Sequence, residues 1–305
     1  MDSDVVLIRI RKLKDKSALP PRRHPRQKWL FFETEPPTKT WSFVPSLNPD
    51  DLKDAFNLTS TYAYDSDIPS RLEMTCVANN AELQSLEKVN FATGKSRGVA
   101  WFVSHCQTQS KREAYVEQLQ KHIEVDVYGA CGPYSCDDTP FGNKEAVSAN
   151  NLADCDSRVL NTTYKFYLAF ENSLCEHYVT EKLTRMFVHK LNIIPVVMGH
   201  EDYKRLLPVG SFIDIRDFDS PMSLADHLKR IDDDDDLYNE YIRRKMAVRC
   251  DFPRDVLYEC RLCEYLHQHK HQQQTVKDAA SFWGVEERCL SPGEYFAGVA
   301  NDIAV

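Results

Sequence analysis

The sequence predicts an α/β protein with parallel sheets. Three observations predict it. Apolar runs of strand length recur from residue 99 onward, each followed by a segment of helical spacing. The runs are continuous rather than alternating, as in strands covered on both faces. The chain is also long enough, at 305 residues, 42% hydrophobic and 28% charged, to bury one large core or two ordinary ones. That composition excludes collagen-like, low-complexity and mostly disordered chains.

The elements follow in order. DVVLIRI at 4–10 reads as a buried strand and WLFFET at 29–34 as a second, separated by the basic, Pro-rich SALPPRRHPRQ at 17–27. Glu35-Pro36-Pro37 ends the second strand, because proline cannot continue a ladder. Residues 69–98 have weak periodicity and form the candidate linker. VAWFVS at 99–104 is the next strand. Ser110 is then placed to cap a helix carrying Tyr115, Leu119 and Ile123, and VDVYG at 125–129 completes the first repeat. A Cys- and Asn-rich excursion covers 130–160. KFYLAF at 165–170 opens the second repeat. Its helix is capped by Thr180 and carries Val179, Leu183, Met186 and Phe187, and IIPVVM at 193–198 closes it before Gly199. FIDI at 212–215, with Ser223 capping LADHLKRI, is a third. This alternation predicts a Rossmann-type nucleotide domain over 99–231.

Charge and cysteine usage narrow the class. With 38 Lys and Arg against 46 Asp and Glu, the net charge is −8, which argues against nucleic acid as a partner. No stretch approaches the ~20 apolar residues of a membrane helix. MDSDVVLIRIRKLKDK does not read as a signal peptide, since its apolar run is short and its basic residues follow it. There are 10 cysteines, with close spacings of Cys131 to Cys136 and Cys260 to Cys263, and two N-x-[ST] sequons, at Asn57 and Asn161. Together they predict a disulfide-bonded, glycosylated secretory-pathway domain. His267, His269 and His271 beside CRLC leave zinc as an alternative for Cys260 and Cys263. The aspartate run 232–236 reads as a solvated loop. Asp65-Ser66-Asp67 lacks the preceding strand of a metal-binding D-x-D, so no metal site is expected.

In open α/β sheets, ligands bind outside the carboxyl ends of the strands. That rule selects Arg112, Glu171, Asn172, Glu181 and Lys182. The two basic residues would add charge to a helix N-terminus that already favours phosphate, and carboxylates there suit ribose hydroxyls. The chain has neither G-x-G-x-x-G nor G-x-x-x-x-G-K-[ST], which argues against dinucleotide oxidoreductases and P-loop NTPases. A phosphate site built from Arg and Lys suits a nucleotide-sugar.

KFYLAFENSLCEHYVTEKLTRMFVHKLNIIPVVMG at 165–199 resembles the α1,3-fucosyltransferase family, glycosyltransferase family 10. The resemblance extends to AWFVSHC…R…VDVYGACG at 100–132, LPPRRHPRQKWLFFETEPP at 19–37, FNLTSTYAYDSDIP at 56–69 and the CRLC pair, and so covers most of the chain. The Cys-rich excursion is most similar to the core-type branch, which modifies the Asn-linked GlcNAc of N-glycans in invertebrates and plants.

The resemblance implies a GT-B-like fold of two Rossmann-like domains. These would be a partial acceptor-side domain over 1–95 and a GDP-fucose-binding domain with a Cys-containing tail over 96–305. It implies GDP-β-L-fucose as donor, a glycan or glycoprotein acceptor, and inversion without a metal or other cofactor. It further implies a lumenal Golgi enzyme held to the membrane only by an anchor absent from this chain. The donor-binding positions fall on Ser104, Arg112, Tyr178, Glu181 and Lys182, with Glu171 and Asn172 beside them. The base falls on Glu35, with Glu33 competing two residues earlier. The aromatic strand predicts an apolar surrounding for Glu35, which would raise its pKa. Three features depart from the family pattern. Ala63 and Tyr64 stand where Y-R-R-D-S-D has arginines, His105 stands where S-N has asparagine, and the P-Y-G after the D-S-D-I segment is missing. They point to an alternative, a truncated or inactive homologue that binds GDP-fucose without turnover.

Overall fold

The structure is a computed structural model and describes residues 3–71, 73–79, 85–135, 155–252 and 257–298. The chain forms two compact units. The first comprises Met1–Glu73, Cys175–Tyr178 and Phe252–Leu290, and the second Met74–Leu174, Val179–Asp251 and Ser291–Val305. This corrects the division at 95/96. The residues expected to be a linker include β4 (Thr75–Ala78), which pairs antiparallel with β10 (Val248–Asp251), and Cys76 is bonded to Cys250 across that pair. The tail expected to end the second domain returns instead to the first. There Ala279 and Trp283 are fully buried in one core with Phe31 and Phe56.

In the first unit, β1 (Val5–Arg9), β2 (Lys28–Phe32) and β3 (Leu58–Ser60) form a parallel sheet in that order. Side chains alternate across its faces. Trp29 and Phe31 join the core around Trp283. Leu30 and Leu58 pack on the opposite face, where helix Tyr258–Gln268 lays down Tyr258, Leu262, Tyr265 and Leu266. Beyond β2, Pro37 opens α1 (Pro37–Ser42) at a first-turn position that needs no N–H.

The second unit is built on a five-stranded sheet whose paired neighbours are all parallel. Its order is β6 (Val125–Tyr128), β5 (Arg97–Phe102), β7 (Tyr164–Phe170), β8 (Ile194–Met198) and β9 (Ile213–Asp214). All seven residues of central β7 are buried, which is why its sequence shows no alternation. Four helices accompany the sheet: α2 (Arg112–Leu119), α3 (Glu181–Val188), α4 (Pro221–Asp232) and α5 (Asp235–Met246).

Helix starts differ from expectation at two places. Lys111, with φ 53°, precedes α2 in a left-handed conformation, and Ser110 is buried below it. Ser220 rather than Ser223 caps α4. Pro221 begins the helix, and Ser223 answers as the other half of a capping box. Thr180 caps α3 as expected. Within the aspartate run, Asp234 caps α5 by accepting the Leu237 N–H, and Asp235 and Asp236 occupy its first turn, where negative charge suits the helix dipole. Lys165 Nζ lies 3.0 Å from Asp232 and 3.6 Å from Asp235. Among the described residues no helix is long and apolar enough to cross a membrane.

Candidate functional site

The order β6-β5-β7 puts the second strand of the sheet on one side of the first and the third on the other. Chain connections therefore diverge between β5 and β7, and the carboxyl ends of these strands are the topological switch point where open sheets take ligands. Ser104 follows β5 and is exposed, Arg112 opens the next helix, Glu171 and Asn172 follow β7, and Glu181 and Lys182 form the first turn of α3. The structure thus gathers six of the seven predicted donor residues at one edge.

Two of them, Glu171 and Lys182, are joined through Thr180. Glu171 Oε1 accepts the Thr180 N–H at 2.8 Å and its hydroxyl at 2.9 Å. Glu171 Oε2 lies 3.1 Å from Lys182 Nζ, which also donates to Thr180 Oγ1 at 2.7 Å and sits 3.6 Å from Glu181. The Glu171 side chain is 1% exposed and that of Lys182 is 17% exposed. Burial disfavours the ammonium, but Glu171 and Glu181 outweigh it, so the Lys182 pKa lies above its ordinary value. The arrangement holds a charged lysine at the sheet edge. Glu171 is too enclosed to meet a ribose as expected. The Glu181 side chain is 61% exposed.

Arg112 has a different place from the one its sequence position suggested. It is 2% exposed, donating from Nη1 to the Phe170 carbonyl at 2.6 Å and from Nη2 to that of His105 at 3.3 Å. It braces the strand ends from beneath. Ser110 works with it, giving its hydroxyl to the Glu171 carbonyl at 2.7 Å and its N–H to that of Asn172 at 3.2 Å. Sequence reasoning missed this role because it took Ser110 for a cap. The Asn172 Oδ1 is buried without a hydrogen bond. The loop after β5 is bonded to the loop after β6 through Cys106–Cys131. Gly129 lies between them at φ 94°, where a Cβ would stand 2.7 Å from the Val103 carbonyl oxygen.

Tyr178, the seventh donor residue, belongs to the first unit, 7% exposed with its ring 5.1 Å from that of Tyr62. The two candidate bases also differ from expectation. Glu33 is fully buried. Its carboxylate accepts the N–H groups of Thr34, Glu35 and Arg11 at 2.8, 3.1 and 3.2 Å. The Glu35 side chain is 32% exposed, and Arg11 Nη1 lies 3.0 Å away, so its neighbour is a guanidinium and not the apolar wall predicted. Of the two, Glu35 is the carboxylate with room to meet a substrate.

The structure also places the remaining candidates. Cys260 and Cys263 are free and exposed. Both lie on one helix, where residues three apart keep their Cβ atoms about 5–6 Å from each other, too far for a disulfide. Cys131 pairs with Cys106, and Cys136 lies outside the described residues. Asn57 is ill-suited to carry a glycan: its Nδ2 donates to the Gln274 carbonyl at 2.7 Å and its Oδ1 accepts the Trp29 N–H at 2.8 Å. Asn161 Oδ1 accepts the Asn192 N–H at 2.7 Å. Asp65 pairs with Arg288 at 2.6 Å, and Asp67 accepts from Thr59, Gln274 and Tyr265. Among the described residues no group of three His, Cys, Asp or Glu side chains could hold a metal.

Comparison with known proteins gives a consistent result. The family described as "Fucosyltransferase, N-terminal" matches residues 1–73, and "Glycosyltransferase family 10 (fucosyltransferase) C-term" matches residues 92–283. The first match ends where the first segment of the first unit ends. The chain is 39% identical over 223 residues to glycoprotein 3-alpha-L-fucosyltransferase A of Drosophila melanogaster, covering 72% of this chain and 41% of that one. It is 35% identical over 283 residues to alpha-(1,3)-fucosyltransferase C of the same organism, covering 87% and 61%. To the 4-galactosyl-N-acetylglucosaminide 3-alpha-L-fucosyltransferase 9 of Mus musculus it is 34% identical over 289 residues, covering 92% and 71%. The chain therefore spans about two-fifths and three-fifths of the two Drosophila relatives. A crystal structure of an alpha1,3-fucosyltransferase with GDP-fucose shares the fold, at TM-score 0.50 and 15% identity, covering 90% of this chain and 80% of that one. Two units, each with a parallel sheet, agree with the GT-B-like architecture expected.

Proposed function

Since the chain belongs to glycosyltransferase family 10, the fucosyltransferases, we propose that it moves L-fucose from GDP-β-L-fucose to a GlcNAc hydroxyl of a glycan, with inversion and in α1,3 linkage. The acceptor proposed is the Asn-linked core of an N-glycan. The similarity to a relative named glycoprotein 3-alpha-L-fucosyltransferase A supports that choice, as does the resemblance of the Cys-rich excursion to the core-type branch. The observation that carries the donor assignment is Lys182, held charged by Glu171 and Thr180 at the switch point of a parallel sheet.

Each unit carries its own candidate residues. On the second, Lys182 and the N-terminus of α3 would meet the diphosphate and stabilise it as it leaves. Glu181, an exposed carboxylate at the same edge, would meet a sugar hydroxyl. On the first, Glu35 would take the proton of the acceptor hydroxyl as that oxygen attacks the anomeric carbon opposite GDP. With cationic groups meeting the phosphates, the reaction is proposed to need no metal. The disulfides Cys76–Cys250, Cys106–Cys131 and Cys175–Cys289 fit an oxidising compartment, and the lumenal face of the Golgi membrane is the location proposed.

Calorimetric titration with GDP, followed by an assay of GDP release from GDP-fucose with an N-glycan acceptor in the presence of EDTA, tests this reading. Binding with acceptor-dependent release supports it. Binding without turnover would favour the inactive-homologue alternative, for which Ala63 and Tyr64 are the specific grounds. Absence of GDP binding would overturn the donor assignment, and release lost in EDTA but restored by Mn²⁺ would overturn metal independence.

A further inference from the structure

The first turn of α3 is held to the end of β7 by Glu171, through Thr180 and Lys182. One turn further on, the same helix carries a second basic residue. Arg185 stands three residues after Lys182, so the two share a face of the helix. Its guanidinium is enclosed within the second unit. Nη1 donates to Asp156 Oδ1 at 2.7 Å, and Nη2 donates to the Tyr167 hydroxyl at 2.6 Å. Its Cζ lies 4.9 Å from the centre of the Tyr167 ring and 5.5 Å from that of Phe102. The Arg185 side chain is 6% exposed and that of Asp156 4%. One guanidinium thus ties α3 to β7, to the end of β5 and to the π-helical turn Asp156–Leu160.

A buried pair of this kind adds little to stability. Desolvating two charges costs about as much as their attraction gives back, and apolar residues of similar size often do as well. What the pair supplies is direction. A planar fork bonded to two partners and faced by two rings has little freedom of placement.

Given the donor reading above, on which this rests, we infer that Arg185 is a positioning residue for the donor diphosphate. It sets α3 against β7 so that Lys182 and the first-turn N–H groups of the helix are in place before the ligand arrives. Arg185 acts through Lys182 and not by contact with the donor. A preset helix spares the ligand the ordering that a loose one would need on binding.

The experiment measures GDP Kd by calorimetry, and donor KM and kcat by GDP release. Arg185→Lys keeps a positive charge beside Asp156, but a compact ammonium cannot reproduce the fork. It should raise the GDP Kd and the donor KM roughly tenfold, with kcat within about threefold. Made in a Lys182→Ala background, the same change should raise the Kd by clearly less, because its effect runs through Lys182. Arg97→Lys is the control. Arg97 pairs with buried Asp126 from the first residue of β5, at the amino end of the sheet, and its variant should keep the wild-type donor KM. If Arg185→Lys does not fold, Asp156→Leu with Arg185→Met, which removes both buried charges, is read in the same way.

Unchanged GDP Kd and donor KM in Arg185→Lys overturn the inference. So does an equal rise in Arg97→Lys, which would mark a general loss of stability. Full additivity with Lys182→Ala overturns it too, since Arg185 would then act independently of Lys182. Failure of the wild-type protein to bind GDP would instead overturn the donor reading itself, and this inference with it.

Discussion

Arg11 Nη1 lies 3.0 Å from Glu35 Oε1, beside a Glu33 carboxylate that is fully enclosed. The proposed base is therefore the outer of two carboxylates that share one arginine. Glu35→Gln keeps the size of the side chain but cannot accept a proton. It should lower turnover by roughly 10²–10⁴-fold and leave GDP affinity nearly unchanged. Steady-state kinetics with parallel GDP calorimetry checks this, and turnover near the wild-type rate would sink the assignment.

Glu33→Gln should behave differently. The carboxylate accepts three N–H groups and lies 3.5 Å from Arg11 Nε, so its neutral amide leaves donors unsatisfied at the end of β2. A loss of about 1–3 kcal/mol in denaturant unfolding is expected. Unchanged stability with lost turnover would instead make Glu33 the catalytic carboxylate.

Lys182→Ala should weaken GDP binding by on the order of 1.5–3 kcal/mol through loss of a charge-assisted phosphate contact. Lys182→Arg should restore only part of it, because the pocket formed by Glu171 Oε2 and Thr180 Oγ1 is matched to a compact ammonium. Unchanged GDP affinity in Lys182→Ala would remove Lys182 from the donor site.

Lys95 makes stability depend on pH. Its ammonium donates to the carbonyls of Asn161 and Tyr164 at 2.9 and 2.8 Å, and burial, aided by the charge of Lys165, lowers its pKa to about 7. A native pKa below the unfolded one means that the unfolded chain binds more protons between the two values. Stability should therefore rise as pH increases from about 7 toward 10, with the penalty fully present below 7. Lys95→Met should reduce that slope by up to one proton's worth, read from unfolding curves across the range. An unaltered slope would assign the dependence to other groups, Lys245 foremost, since burial lowers its pKa in the same direction.

Cys260 and Cys263 should both react with a thiol reagent in the native protein, since both are free and exposed on a helix whose other face packs on the first sheet. Protection of either by a disulfide or by bound zinc would contradict this structure.

What could be read in advance follows from how local each signal is. β7 and β8 were legible because strands buried on both faces are written as unbroken apolar runs, and Thr180 because its hydroxyl caps within two residues. The start of α2 was not legible, because a left-handed lysine leaves no side-chain signature. Cysteine pairing misled because proximity in sequence is not proximity at a sheet edge. Cys131 meets Cys106, 25 residues away, since β5 and β6 are neighbours. The candidate edge follows from strand ends alone. Which of its charges face outward depends on the hydrogen bonds of Arg112 and Glu171, and these need the fold.

The late return of residues 252–290 to the first unit has a consequence for biosynthesis. Trp283 is fully buried there, and its carbonyl receives the Trp41 indole N–H at 2.7 Å. β1, β2 and β3 leave the ribosome long before that segment exists. At roughly 5–20 residues per second the intervening chain takes on the order of ten seconds or more to make. Throughout that interval the core around Trp29 and Phe31 lacks Ala279 and Trp283, and Leu30 and Leu58 lack Tyr258, Leu262, Tyr265 and Leu266. The nascent first unit is thus a natural client for chaperones, and a chain stopped after β10 would present the Leu30 and Leu58 face of the sheet to quality control.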